Sequence, residues 1–172
     1  MKKVVILMVI CALLISLCSC SSHVGDVSQS GDPMIYFVSD NSWTTDEIEQ
    51  HFGAFSASEM GQMFTFEHME YRAEDVRVFG ESWDLEIIEY GDPYGITGGS
   101  FIFEQNDVGE KAFVAYRDEI VKHYTKLYGE PEEMYESSDT PAWAWKTSGV
   151  SIYLQDCRPV NGTMAITFAP AK

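Results

Sequence analysis

The residues from Asp107 to Pro131 restrict the fold more than any other stretch, because they read as one long amphipathic helix with defined ends. Phe113, Tyr116, Ile120, Tyr124 and Leu127 recur at steps of three and four, so they share one face that has to be buried. Lys111, Asp118, Lys122 and Lys126 fall on the opposite face. Asp107 and Glu110 have the spacing of a capping box, and Gly129 followed by Pro131 is a stop signal. His123 follows Glu119 by four residues, which predicts a surface ion pair along the helix. A helix with one apolar face needs a sheet or another helix to cover it.

The flanking sequence supplies strands. Phe64, Phe66 and His68 alternate with Met63, Thr65, Glu67 and Met69; Val76 alternates with Val78, and Trp83, Leu85 and Ile87 do likewise. The piece Trp83 to Tyr90 is read as a strand, although a helix would also bring Trp83, Ile87 and Tyr90 together. Four glycines and a proline between Gly91 and Gly99 predict a loop, and Phe101 to Glu104 a strand leading into the long helix. Beyond Pro131 an acidic loop runs to Thr140. Three strands then close the chain, marked by Trp143 and Trp145, by Val150, Ile152 and Leu154, and by Met164, Ile166 and Phe168. Ser148-Gly149 and Asn161-Gly162 are the turns between them. Near the start of the body, Met34 to Val38 is expected to be a short strand. Thr44 and Glu47 then cap a short helix that carries Ile48 and Phe52 and ends at Gly53, and a Ser/Met/Gly loop follows. The expected fold is α+β: two helices packed on antiparallel sheet in a single domain over residues 34–172.

The helix ends Phe52-Gly53 and Tyr128-Gly129 stand 76 residues apart, and the same offset carries Val76 and Val78 onto Ile152 and Leu154. This spacing suggests a degenerate duplication with halves 34–105 and 106–172, each a helix and a three-stranded meander. The layout resembles the tandem helix-plus-meander domains of the beta-lactamase-inhibitor-protein type and the related small outer-membrane assembly lipoproteins. The part that matches runs from the helix through Tyr128-Gly129-Glu130-Pro131 to the strand with Trp143 and Trp145. The resemblance implies binding of a protein partner, in one form the inhibition of a secreted enzyme.

At the amino terminus, Lys2 and Lys3 precede an apolar run from Val4 to Leu17, which reads as a secretory signal over residues 1–19. Leu17-Cys18-Ser19-Cys20 resembles the lipobox of bacterial lipoproteins. The resemblance implies that Cys20 is acylated with palmitate-type chains and becomes the mature terminus. Residues 20–33, rich in Ser, Gly and Asp and including His23, would then tether the domain outside the cytoplasm to the cell membrane. A simple secretory signal, or a retained membrane anchor, is the alternative.

Charge narrows the partners. Removing the signal takes away Lys2 and Lys3 and leaves 27 acidic residues against nine basic ones, a balance of −18. That balance excludes nucleic acid and direct adhesion to anionic lipid. Of the four cysteines, only Cys157 would remain unmodified in the mature body, as a small hydrophobe with no disulfide partner.

No CxxC, HExxH, phosphate-binding glycine loop or calcium loop occurs, and Asp40-Asn41-Ser42 lacks the glycine and glutamate that a calcium loop needs. No metal or cofactor is expected, and no catalytic residue is assigned. Glu67-His68-Glu70 comes nearest to a metal cluster, but on a strand Glu67 and His68 point to opposite faces. An envelope hydrolase using His51 or His123 with carboxylates is the second functional reading. Aromatic content favours binding: Trp43, Trp83, Trp143 and Trp145 accompany nine tyrosines. Trp143 and Trp145 are expected in the core under the long helix. Tyr153 lies opposite the buried face of its strand, with the small Ala142, Ala144 and Ser151 around it. Tyr153, Tyr94 in the glycine-rich loop and Trp43 are the candidate binding surface, and the first functional reading is a non-catalytic module for an envelope protein or wall polymer.

Overall fold

A four-stranded antiparallel meander follows the first two helices and another follows the long helix, and the two meanders meet at their last strands to make one eight-stranded sheet. The computed structural model describes residues 31–39, 43–63, 66–91, 94–104, 108–133 and 140–171. Helices α1 (Pro33–Ser39) and α2 (Thr45–Phe52) precede strands β1 (Ala57–Met63), β2 (Phe66–Val78), β3 (Glu81–Tyr90) and β4 (Gly95–Glu104). Helix α3 (Glu110–Tyr128) leads to β5 (Glu132–Glu133), β6 (Ala142–Lys146) and β7 (Val150–Asp156); the short α4 (Arg158–Asn161) and β8 (Thr163–Pro170) finish the chain. The spatial order is β1-β2-β3-β4-β8-β7-β6-β5, with every neighbouring pair antiparallel. The α+β class expected from the sequence is therefore the class observed. The offset of 76 residues, however, matches β2 to β7, the second strand of one meander to the third of the other.

The core lies on one face of the sheet. Leu85, Phe101, Ile166 and Leu154 are consecutive cross-strand partners on that face, and each is fully buried. Phe113, Tyr116, Ile120 and Tyr124 of α3 join the same cluster, as do Met34 and Phe37 of α1 and Ile48 of α2. At the fourth-to-eighth strand junction, Phe37 stacks on Phe168 with ring centroids 3.8 Å apart. Trp145 packs edge-on against Tyr124 at 5.4 Å and donates its indole N–H to the Gly129 carbonyl at 3.1 Å. The expectation for Trp145 as core is met, and Trp143 is half-buried beneath the Arg117 guanidinium.

Several local expectations are corrected. Met34 to Val38 is helix rather than strand: Pro33 starts it, and the Asp32 carboxylate accepts from the Met34 N–H at 2.9 Å. The stretch after Gly53 is the edge strand β1, not a loop. Its residues are exposed or half-exposed where described, so no apolar alternation marks it. Gly95 to Gly99 is the start of β4. A Cβ on Gly98 would stand 2.5 Å from the Phe168 carbonyl oxygen and one on Gly99 2.5 Å from that of Glu86. These glycines serve close strand approach and not a loop.

Helix α3 begins at Glu110 with Gly109 as its cap and no side-chain capping bond; Asp107 lies outside the described residues. Leu127 is 48% exposed, and the last turn is closed instead by Tyr124 and the half-buried Tyr128, whose rings lie 5.8 Å apart. The Thr44–Glu47 capping box of α2 is present in both directions. Glu132–Glu133 adds a fourth strand to the second meander within what the sequence predicts as acidic loop, whose residues 134–139 lie outside the described residues. Phe64, Asp40-Asn41-Ser42, His23, and the whole signal, lipobox and tether up to residue 30, Cys20 included, also lie outside them.

Candidate functional site

Because side chains alternate along a strand, the residues between the core positions project from the other face of the sheet. One row crosses all eight strands there: Ala57, Arg72, Glu86, Ser100, Thr167, Tyr153, Ala144 and Glu132 are successive partners. Among the described residues, helices α1, α2 and α3 all place their buried side chains in the core cluster on the opposite side. This face has no described helix upon it.

Its chemistry is graded from edge to centre. Arg72 lies 3.3 Å from Glu86, 3.7 Å from Glu59 and 3.9 Å from Glu70, so a single cation is shared by three carboxylates. At the other end Lys146 meets Glu132 at 3.0 Å, and that contact raises the affinity of the ammonium for its proton. Both pairs are exposed and contribute little to stability. Between them the row positions on β4, β8, β7 and β6 are uncharged: Ser100, Thr167, Tyr153 and Ala144. Ser100 and Thr167 share a hydroxyl hydrogen bond of 3.0 Å, and half-buried Tyr153 is the row's one aromatic ring. Ala144 beside it is buried yet stands outside the core cluster. A flat neutral centre with one phenol, rimmed by charge, suits contact with a surface better than capture of a small molecule.

The three aromatic candidates are not brought together. Tyr153 is on the helix-free face, while Tyr94, 65% exposed, stands at the turn before β4 with its N–H on the Gly91 carbonyl. Trp43 is corrected to a core residue: it is 8% exposed and packs edge-on against Phe37 and Phe168 at 5.0 and 5.5 Å. Residues that the sequence did not single out, Arg72, Glu86, Ser100, Thr167 and Glu132 among them, complete the row, and Lys146 flanks its far end. Their signal was the polar half of each period-two strand pattern, which shows that they face away from the core but not that they line up.

The histidines take separate places. His51 is exposed and stacks on Tyr36 at 4.4 Å. His123 pairs with Asp32 at 2.9 Å, not with Glu119, and the Tyr124 hydroxyl donates to the same carboxylate at 3.2 Å. This triad pins the start of α1 to α3. His68 Nε2 contacts Glu70 at 2.8 Å on their shared face, with Glu67 on the other. No group of three metal-ligating acidic, His or Cys side chains occurs among the described residues. Half-buried Cys157 is a free thiol whose proton affinity is raised by burial and then by Asp156.

Fold and face together define a two-layer α+β protein with one sheet face that no described helix covers. Comparison with protein-family models, with curated proteins and with solved structures finds no match. Among the described residues, no helix is long and apolar enough to cross a membrane.

Proposed function

We propose that this chain is an exported lipoprotein, held at the membrane by acylated Cys20, whose folded body is a non-catalytic binding module for an envelope protein or wall polymer. The row Arg72–Glu86–Ser100–Thr167–Tyr153–Ala144–Glu132 is the observation that carries the binding reading. An uncovered sheet face with a neutral centre is a surface that a partner can seal from water. The Leu17-Cys18-Ser19-Cys20 sequence supports the anchor, and the acidic balance keeps a tethered body off anionic lipid. The body then lies outside the cytoplasm, within reach of soluble or wall-bound partners.

Expression in a bacterial host with radiolabelled palmitate, followed by detergent phase separation, tests the anchor. Label and detergent-phase partitioning that vanish in Cys20→Ala are expected. Unlabelled protein that stays in the culture fluid would refute it. Binding is tested by affinity capture from envelope extracts with graded salt, comparing the protein with a charge-matched control.

A further inference from the structure

Strand β1 is an edge of the sheet, distant from the face around Tyr153. β1 is seven residues long and ends the sheet, and among the described residues no strand pairs with its outer side. In an antiparallel edge strand every second residue turns its N–H and C=O outward, a template for one more strand. Usual protections are sparse. Ala57–Met63 holds no proline or lysine, its one charged residue is Glu59, and Met60 is 70% exposed.

A cavity of about 430 Å³ opens beside this edge, at the corner of the sheet where β2 begins and β3 ends. Its lining includes the thioether residues Met60 and Met69, the carboxylate residues Glu67 and Glu89, Tyr90 and His68, and no Lys or Arg. The Glu89 carboxylate is oriented, because it accepts from the Tyr71 hydroxyl at 2.9 Å. His68 is 5% exposed and lies across Gly61 of β1, where a Cβ would come 2.4 Å from Nε2. In the tautomer that donates Nε2–H to Glu70 the ring keeps Nδ1 as an acceptor, and Nδ1 is buried with no hydrogen-bond partner among the described residues.

Carboxylates, thioethers and a phenol form a lining that suits an ammonium on an apolar stem. A second copy of this chain is a poor occupant, since pairing two β1 edges would bring together two bodies of the same strong negative charge, each with Glu59 on its edge. We propose that β1 docks an extended, lysine-bearing segment of a partner protein, which adds as a ninth strand and places one lysine in the corner cavity. Main-chain pairing supplies the affinity and the cavity supplies the selection.

The test uses the full chain in detergent and a fluorescent heptapeptide of alternating lysine and valine, with its glutamate-for-lysine counterpart as control. Anisotropy should show binding of the lysine peptide alone, weakened about tenfold by the double substitution Glu67→Gln and Glu89→Gln. Hydrogen exchange should slow at the amides of residues 57–63 when it binds. Because Glu89 also holds Tyr71, the exposed Glu67→Gln alone serves as a second variant and should weaken binding about threefold. Tyr153→Ala should leave the peptide affinity unchanged, so this site stands or falls apart from the sheet face. Equal binding of the two peptides, unaltered affinity in the Glu variants, or protection elsewhere than β1 would overturn the proposal. So would free butylamine competing fully at equal concentration, which would mean that the cavity selects an amine without strand addition.

Discussion

Trp83 Nε1 donates to the Tyr116 hydroxyl at 3.2 Å, and that hydroxyl donates in turn to the Val78 carbonyl at 3.3 Å. One phenol on α3 thereby settles a buried donor on β3 and the end of β2, tying the long helix to the first meander. Phe103 packs against both rings, at 5.2 Å from Trp83 and 5.3 Å from Tyr116. Tyr116→Phe keeps the packing but orphans the Trp83 N–H. A loss of about 1–3 kcal/mol in unfolding free energy is expected by urea titration. Trp83→Phe in the same background should recover part of it, since no orphaned donor then remains.

Asp156 is fully buried and accepts from Arg117 at 2.7 Å, from Arg158 at 3.0 Å and from the Arg158 backbone N–H at 3.1 Å. The two guanidiniums also lie over Trp143 and Phe113, at 5.4 and 5.5 Å. Asp156→Ala removes the buried anion and leaves Arg117 to Asp118 and Arg158 to Glu110, both exposed acids, and a loss of about 3 kcal/mol is expected by denaturant unfolding. An unchanged midpoint would show that the cluster is screened by water.

Alkaline pH should unfold the protein. Burial, followed by the Asp32 carboxylate, pushes the Tyr128 phenol up to about 12 from 10.0, and the same two causes raise Tyr124 well above its ordinary value. The unfolded phenols lose their protons first, so above pH 10 the unfolded chain binds fewer protons than the folded one. Stability is complete below about pH 10 and falls as pH rises toward about 12. Phenolate absorbance, red-shifted from the band of the neutral phenol, should appear together with loss of helical circular dichroism. Phenolate appearing well before unfolding would contradict the burial.

Burial and the adjacent carboxylate raise the Cys157 thiol, so little of it is thiolate near neutrality. Alkylation by iodoacetamide at about pH 8 should run slower than with an unstructured peptide cysteine. Unfolding in urea should restore the peptide rate. An equal rate in the folded protein would show the thiol to be open.

Regular, one-sided elements were legible because burial leaves a period in the sequence. Phe113, Tyr116, Ile120 and Tyr124 repeat as a helix face, and Trp83, Leu85 and Ile87 as a strand face. The Met34 to Val38 helix was misread because five residues fit either period, although Asp32-Pro33 before it is a helix-start signal. β1 left no period at all, since an exposed edge strand buries neither face. At the β2–β3 turn, Phe79 and Gly80 both have positive φ, at 48° and 82°, and Phe79 still reaches the core beside His123 and Tyr124. Tertiary packing holds that phenylalanine where local preference would put asparagine. The face around Tyr153 was legible as an outward strand face, but the line from Arg72 to Glu132 depends on long-range register, which sequence spacing does not contain.

The most direct test of the central claim, that the helix-free face is the binding surface, is affinity capture from envelope extracts with the full chain and two face variants. Tyr153→Ala removes the one ring of the row, and Thr167→Glu puts a charge at its neutral centre; neither reaches the core cluster. A partner retained by the unaltered protein, weakened by Tyr153→Ala and lost with Thr167→Glu, is expected, while circular dichroism stays unchanged. A specific partner captured equally by all three would contradict it and move the binding surface away from this face.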